Sequence, residues 1–425
     1  MQYPEYIPYK KKNRKGLKIL FLICLLILLA IGLYQIPRVN RVVSWRIDLA
    51  RTYIHRLFNP VSDLPAPVVS RISAPGTPTI TAIPATITPT PLVSPTPTQV
   101  PTPIPSEVVL TAPAYDEVRD KQDWNNCGPA TLALTLRYYG WEGDQYDIAK
   151  IVKPTRDDRN VNVDELVYYV HNYSGWLNAE FRVGGDVERI KQLIAAGFPV
   201  MIEESFTTDR QYWPEDDLWS GHYLLITGFN DATRTFIVQD TELGANQSIN
   251  YDILDKNWQS FNRVYIMVYR PEHEEILKNV LGEDWDVEKN RENALAAAQQ
   301  ETQNNPDNAF AWFNLGTNLT SFKRYTEAAQ AYDTARSLGL PQRMLRYQFG
   351  PFIAYFQTGR TEEVMTLTKY ALEISRTSEE AMLWRGWAFY QNGDEDTALK
   401  YFRDALKIRE DYEDALWAID YISAN

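Results

Sequence analysis

From about Pro60 to Pro113 the chain is a run of Pro, Thr, Ser and Val, including TPTITAIPATITPTPLVSPTPTQVPTPIP, with almost no charge and no hydrophobic period. Such a segment cannot bury enough apolar surface to offset the entropy of ordering it, and it is expected to stay disordered and extended. At about 3.1 Å per residue, roughly fifty residues of polyproline II would reach about 150 Å. The run therefore splits the chain into a short N-terminal piece and a long body. It reads as a spacer, with a ligand for a Pro-binding module as the other reading.

The N-terminal piece is dominated by Leu17–Ile36, almost wholly apolar apart from Lys18 near its edge. Its length suits the roughly 20 residues a helix needs to cross a bilayer. A cleaved signal peptide fits less well, because the run is long for such a region and no small-residue cleavage site follows. A lipoprotein reading of Cys24 fails, since Ile23 precedes it and the apolar run continues beyond. Lys10, Lys11, Lys12, Arg14 and Lys15 before the run favour a cytoplasmic N-terminus. After it, Arg38, Arg41, Arg46, Arg51 and Arg56 alternate with Val39, Val42, Trp45, Leu49 and Tyr53. This pattern predicts a basic amphipathic helix on the outer membrane face, or a continuation of the spanning helix into solvent.

Length, 425 residues, calls for two or three domains, and 44% hydrophobic with 23% charged residues is ordinary for globular protein. A net charge of −12 gives no footprint for nucleic acid. Only two cysteines occur, Cys24 within the apolar run and Cys127 in the body, so an exported Cys127 has no partner within the monomer and stays a free thiol. Four histidines, His55, His171, His222 and His273, are the candidates for a catalytic base.

In DKQDWNNCGPATLALTLRYYG a loop leads into a helix predicted from about Asn126 to Tyr139, with Pro129 in its first turn and Gly140 at its stop. Cys127 then sits at the helix N-terminus, where unpaired N–H groups and the dipole favour a thiolate. A small residue filling a gap at the helix entry explains that position equally well. In SGHYLLITGFNDATRTFIVQD, strands are predicted over Tyr223–Phe229 and Thr235–Gln239, joined by the turn Asn230–Arg234. If Asn230 pairs with Arg234, His222 falls opposite Glu242 and diagonal to Asp240, on one face. A carboxylate there can orient an imidazole and stabilise its charged form; a bulge would change the register. DVERIKQLIAAGFPVMIEE predicts a helix, a turn and a buried strand over Val200–Ile202, as in a mixed sheet packed on the Cys127 helix. Tyr212, Trp213 and Trp219, in the loop before His222, either line a cleft or pack locally.

NNCGPATLALTLRYYG, followed by GHYLLITGFND and VQD, resembles the bacteriocin-processing-type cysteine peptidases of the papain-like clan, over roughly Tyr115–Arg270. The resemblance implies an α+β papain-like fold with Cys127 as nucleophile, His222 as general base and acid, and Asp240 orienting His222. It also implies Gln122 as an oxyanion donor beside the Cys127 backbone N–H, a role that Asn125 or Asn126 could equally fill. The implied reaction is two-step acyl transfer to water, with transfer to an amine using the same groups. No ATP-binding or multi-span segment follows, so leader cleavage coupled to export is not supported.

From about Asp286 the chain has a period near 34, with Trp312, Leu315, Gly316, Ala328, Tyr332 and Ala335 in the tetratricopeptide pattern. A second copy supplies Gly386, Gly393, Ala398, Phe402 and Ala405; the copy between, with Gly359 and Ala371, is degenerate. Asn293–Pro306 reads as an earlier half-repeat and Asp411–Ile422 as a capping helix. These repeats predict an all-α solenoid offering a concave surface to a protein, or a stabilising appendage.

The expected organisation is a cytoplasmic basic tail (1–16), a transmembrane helix (17–36), an amphipathic juxtamembrane segment (37–59), the disordered linker (60–113), the peptidase-like domain (114–272) and the repeats (286–425). The expected function is a membrane-anchored extracytoplasmic cysteine peptidase acting on a peptide or protein substrate, with the repeats for a protein partner. It needs no cofactor or metal and no nucleic acid. The alternative is a catalytically inactive peptidase-like scaffold at the cell surface.

Overall fold

The computed structural model describes residues 15–62, 64–67, 104–155 and 160–424. The linker's central part, 68–103, and most of the basic tail lie outside the described residues. The chain opens with α1 (Lys15–Tyr34) and α2 (Pro37–Phe58). Then follow β1 (Glu107–Val109), α3 (Glu117–Asp120), α4 (Cys127–Tyr138), α5 (Gln145–Val152), α6 (Val163–Tyr173), β2 (Asn178–Arg182), α7 (Val187–Ala195) and β3 (Val200–Thr207). A meander of β4 (Trp219–Asn230), β5 (Thr235–Asp240) and β6 (Gly244–Asn250) leads to α8 (Tyr251–Trp258), β7 (Tyr265–Tyr269) and α9 (Glu274–Leu281).

A helix does form over the stretch expected to cross a bilayer, and the described side chains of α1 from Lys18 to Leu33 are exposed. Among the described residues, however, no helix is long and apolar enough to cross a membrane. The next helix, α2, packs on the body: Arg56 is buried and donates to the Ile374 carbonyl at 2.7 Å. At its other end Trp45 lies under the Arg210 guanidinium, 4.2 Å from ring centroid to carbon.

The sheet runs β2-β7-β3-β4-β5-β6, with β1 extending β4, and every pairing among the described strands is antiparallel. The mixed sheet expected from sequence is therefore corrected: α7 returns the chain to β3, which pairs antiparallel with β7 and β4 rather than beside β2. Strand alternation divides the core. Met201, Tyr223, Leu225, Ile266 and Val268 face α4, α5 and α6, while Val200, Ile202, Leu224, Ile226 and Met267 face α7, α8 and α9. Both faces are covered, which is why Val200–Ile202 and Tyr265–Tyr269 read as unbroken apolar runs. Each fully buried aliphatic side chain here contributes about 1.5–3 kcal/mol.

Beyond α9 the chain is helical: α10 (Val287–Asn304), α11 (Ala309–Ser321), α12 (Tyr325–Leu338), α13 (Met344–Tyr347), α14 (Gly350–Gln357), α15 (Thr361–Ile374), α16 (Glu379–Gln391), α17 (Glu395–Ile408) and α18 (Glu413–Ala424). The small residues of the repeat pattern mark where helices touch. A Cβ on Gly316 would lie 2.7 Å from the Tyr332 ring, and one on Gly386 would lie 2.4 Å from Phe402. The degenerate copy forms the pair α14 and α15, with α13 inserted before it.

These repeats pack directly on the sheet domain. Asn262 and Asn318 exchange two amide hydrogen bonds (2.9 and 3.1 Å), and Asn290 bonds both the N–H and the carbonyl of Val183 (3.0 and 2.9 Å). Arg343 pairs with Asp216 in full burial. Trp219 stacks between Phe261 and Phe310, with Tyr347 edge-on.

Candidate functional site

Helix α4 begins at Cys127 because the preceding loop is pinned from below. Buried Gln145 accepts from the Asp123 N–H (2.9 Å) and the Asn126 side-chain amide (2.8 Å), and donates to the carbonyls of Arg119 (3.0 Å) and Lys121 (2.8 Å). Lys153 donates to the carbonyls of Trp124 (2.5 Å) and Asn125 (2.8 Å). Asn125 takes a left-handed conformation, φ 49°, which asparagine tolerates better than most residues. The turn that results delivers a part-exposed Cys127 to the helix N-terminus.

The hairpin reaches the expected register by a different route. Its turn pairs Asn230 with Thr235, not with Arg234, and a bulge at Thr227 then shifts the ladder by one residue. Leu224 consequently lies opposite Asp240, and the same register carried on places His222 opposite Glu242. His222 and Asp240 share a face, and His222 Nε2 lies 3.0 Å from Asp240 Oδ1, with both side chains buried. That oxygen also accepts the backbone N–H groups of Glu242 (2.7 Å) and Leu243 (3.1 Å).

Cys127 and His222 line the same cleft, and each shifts the other's ionisation. Burial alone pushes the thiol up, but His222, the Tyr223 N–H and the Lys153 charge bring it below its ordinary value. Burial likewise pushes His222 down, and the charge and hydrogen bond of Asp240, with Cys127, raise it well above the usual imidazole range. Asp240 is held below the carboxylate range: burial opposes this, and the His222 charge and hydrogen bond outweigh it. The three groups therefore favour thiolate, imidazolium and carboxylate together.

Gln122 is fixed by Thr241, the residue after Asp240. The Gln122 N–H donates to the Thr241 carbonyl (2.9 Å), and the Thr241 hydroxyl donates to Gln122 Oε1 (3.0 Å). Gln122 so held lines the same cleft as Cys127. Asn126 instead spends its amide on Gln145, while Asn125 stays in the cleft wall.

The cleft has a volume of about 530 Å³, and Gln122, Cys127, Glu203, Phe206, His222 and Tyr212 are in its wall. Of the three loop aromatics, Tyr212 lines it; Trp213 is buried and donates to Gln342 (3.0 Å), and Trp219 is packed against the repeats. Sequence reasoning missed two walls: α2 contributes Trp45 and Arg46, and the repeats contribute Arg346 and Tyr347. Gly221 admits that approach, because a Cβ there would lie 2.9 Å from the Tyr347 ring. Among the described residues, no cluster of His, Cys, Asp or Glu could hold a metal ion.

The structure thus brings together a thiol at a helix start, an imidazole on a sheet strand and a carboxylate on the next strand. Residues 111–270 match the Peptidase C39 like family, and residues 288–339 and 371–413 match the tetratricopeptide repeat. The chain thus carries a C39-peptidase-like domain followed by tetratricopeptide repeats. Among solved structures it is similar to a chain described as a C39-like peptidase from Bacillus anthracis, at 14% identity, covering 39% of this chain and 98% of that one, TM-score 0.30. It is also similar to a double glycine motif protease from an AMS/PCAT transporter (18% identity, 38% and 94% covered, TM-score 0.28) and to the repeat protein YrrB (17%, 34% and 88%, TM-score 0.19). No curated protein sequence matches the chain.

Proposed function

We propose that the protein is a cysteine peptidase that cleaves peptide or amide bonds, held at a membrane by its apolar segment Leu17–Ile36 with the body outside the cytoplasm. The observation that carries this reading is the placement of Cys127 and His222 in one open cleft, with His222 Nε2 3.0 Å from buried Asp240 behind it. In the proposed reaction the Cys127 thiolate attacks the substrate carbonyl, and the C–S bond forms as the carbonyl electrons move to oxygen. The Gln122 amide and the Cys127 N–H receive that oxyanion. His222 gives its proton to the leaving nitrogen as the C–N bond breaks, then takes a proton from water, which releases the acid and restores the thiolate. Asp240 keeps the imidazole oriented throughout.

The anchor is supported by the apolar run from Leu17 to Ile36 and by the basic residues that precede it. The repeats suit a protein or peptide partner on whatever surface the sheet domain leaves uncovered.

The test is labelling with an epoxysuccinyl thiol probe, followed at the Cys127 peptide. Wild type should label at least a hundredfold faster than a free model thiol at pH 6, and Cys127→Ala should not label there. Labelling at the model-thiol rate would favour a catalytically silent scaffold and overturn the peptidase reading. Carbonate extraction of membranes and external proteolysis test the anchor; release of the intact chain by carbonate would overturn it.

A further inference from the structure

Strand β3 carries a second carboxyl behind the proposed dyad. Glu204 lies directly opposite His222 in the β3–β4 ladder, so the two side chains rise on one face, at a Cβ spacing of about 5 Å for such pairs. It is 3% exposed, and its Oε2 has no hydrogen-bond partner among the described residues. Such a group is costly to bury and is rarely left unpaired without a role. On the same face Phe206, two residues on, packs against the His222 ring at 4.9 Å between centroids, and both line the cleft. Glu204 is absent from the cleft wall, so it acts on the imidazole and not on substrate.

We propose that Glu204 is a positioning residue of the thiolate–imidazolium pair, supplying a second negative charge that holds His222 protonated while Cys127 is ionised. This rests on the peptidase reading above and adds a group to it. The charges facing Glu204 are His222 from β4 and Asp240 from β5; α8 contributes the uncharged Asn257. Asp255 of α8 is engaged by Arg263 at 2.6 Å, and Glu203, the neighbour on β3, rises on the opposite face beside Tyr223. Burial is the largest influence on Glu204 and, with Asp240, outweighs the attraction of His222 and of Asn257, raising the carboxyl to about 7.

The consequence is directional. Below that range Glu204 is neutral and Gln imitates it, so the acid limb of thiolate reactivity should not depend on the charge. Above it the carboxylate is ionised and opposes deprotonation of His222, so it should extend the alkaline limb.

The experiment is the pH dependence of Cys127 alkylation by iodoacetate, whose own negative charge makes its rate sensitive to the imidazolium. Wild type should give a bell. Glu204→Gln should keep the acid limb and bring the alkaline limb down by roughly one pH unit or more, the size of shift a neighbouring charge produces. Glu204→Asp should restore part of that shift, which a packing role would not require. A wild-type bell with an unmoved alkaline limb in folded Glu204→Gln overturns the role of Glu204 and leaves the peptidase reading standing. A wild type without a bell overturns both.

Discussion

Replacing Asp240 with Asn separates charge from geometry at the candidate site. Three donors converge on one atom of Asp240: His222 Nε2 at 3.0 Å and the N–H groups of Glu242 and Leu243 at 2.7 and 3.1 Å reach Oδ1. An asparagine can put its carbonyl oxygen in that position, keep all three bonds and leave the imidazole oriented. What it removes is one negative charge. For unit charges about 4 Å apart at an effective dielectric of 20, that is about 4 kcal/mol of attraction for the imidazolium. At about 1.4 kcal/mol per tenfold, the thiolate–imidazolium pair loses up to roughly 10³-fold in its equilibrium with the neutral pair. The wild-type pair has reserve, since all three groups are shifted in its favour, so a fall of about 10²-fold in reactive thiolate at pH 6 is expected. The assay is iodoacetate alkylation read by mass spectrometry at the Cys127 peptide, in a Cys24→Ser background so that the second thiol does not report. Circular dichroism establishes that the variant is folded. A folded Asp240→Asn protein that alkylates within threefold of wild type would refute the electrostatic account, since geometry alone would then suffice.

Thr241→Val removes the hydroxyl that holds Gln122 Oε1 and should lower turnover of an activated ester about tenfold through kcat, with Thr241→Ser restoring it; removal of a whole oxyanion donor costs about 10²–10³-fold. An unchanged kcat for Thr241→Val would remove Gln122 from the oxyanion role. Arg343→Ala leaves Asp216 buried with only the N–H groups of Tyr212 and Leu218, and should cost about 3–5 kcal/mol by urea denaturation; joint replacement, Arg343→Met with Asp216→Asn, should cost less. A loss under 1 kcal/mol for Arg343→Ala would mean the pair does not hold the repeats to the sheet. Glu204→Gln also predicts a pH-dependent stability difference. The folded carboxyl stands at about 7 against an ordinary 4.5, so wild type loses stability as pH rises from 4.5 through 7, by about 3 kcal/mol in full. The variant lacks that loss, so its Tm relative to wild type should rise across this window, and a parallel pair of Tm curves would contradict it.

What could be read from the sequence was local, and what could not was set by packing between distant segments. Cys127 at a helix start followed from Pro129 and the apolar spacing behind it, because helix entry is decided within a few residues. The shared face of His222 and Asp240 followed from strand period, although the expected Asn230–Arg234 pairing is wrong by one residue and the bulge at Thr227 makes up the difference. A bulge leaves no mark in a run such as LLITGFN beyond its glycine. Glu204 was hidden for the same reason that His222 was visible: its neighbours Glu203 and Ser205 make the end of β3 look like a solvated strand tip. Only the pairing of β3 with β4 reveals that 204 and not 203 shares a face with the imidazole. Gln145 and Lys153, which shape the Cys127 loop, lie at the start and just past the end of α5, whose pattern gives them no distinction from surface residues. The repeats show the largest gap between pattern and use. Their period announced helices, and Gly316 and Gly386 announced close contacts, since those demands recur within each copy. Docking is not periodic. Asn262, Asn290 and Asn318 look like polar surface in sequence, yet their amides bind across the junction, and Tyr347 reaches the cleft only because Gly221 lacks a side chain. The repeat surface that a sequence reading would leave for an outside partner is thus partly taken by the sheet domain, and a partner that loosened this junction would move a wall of the cleft.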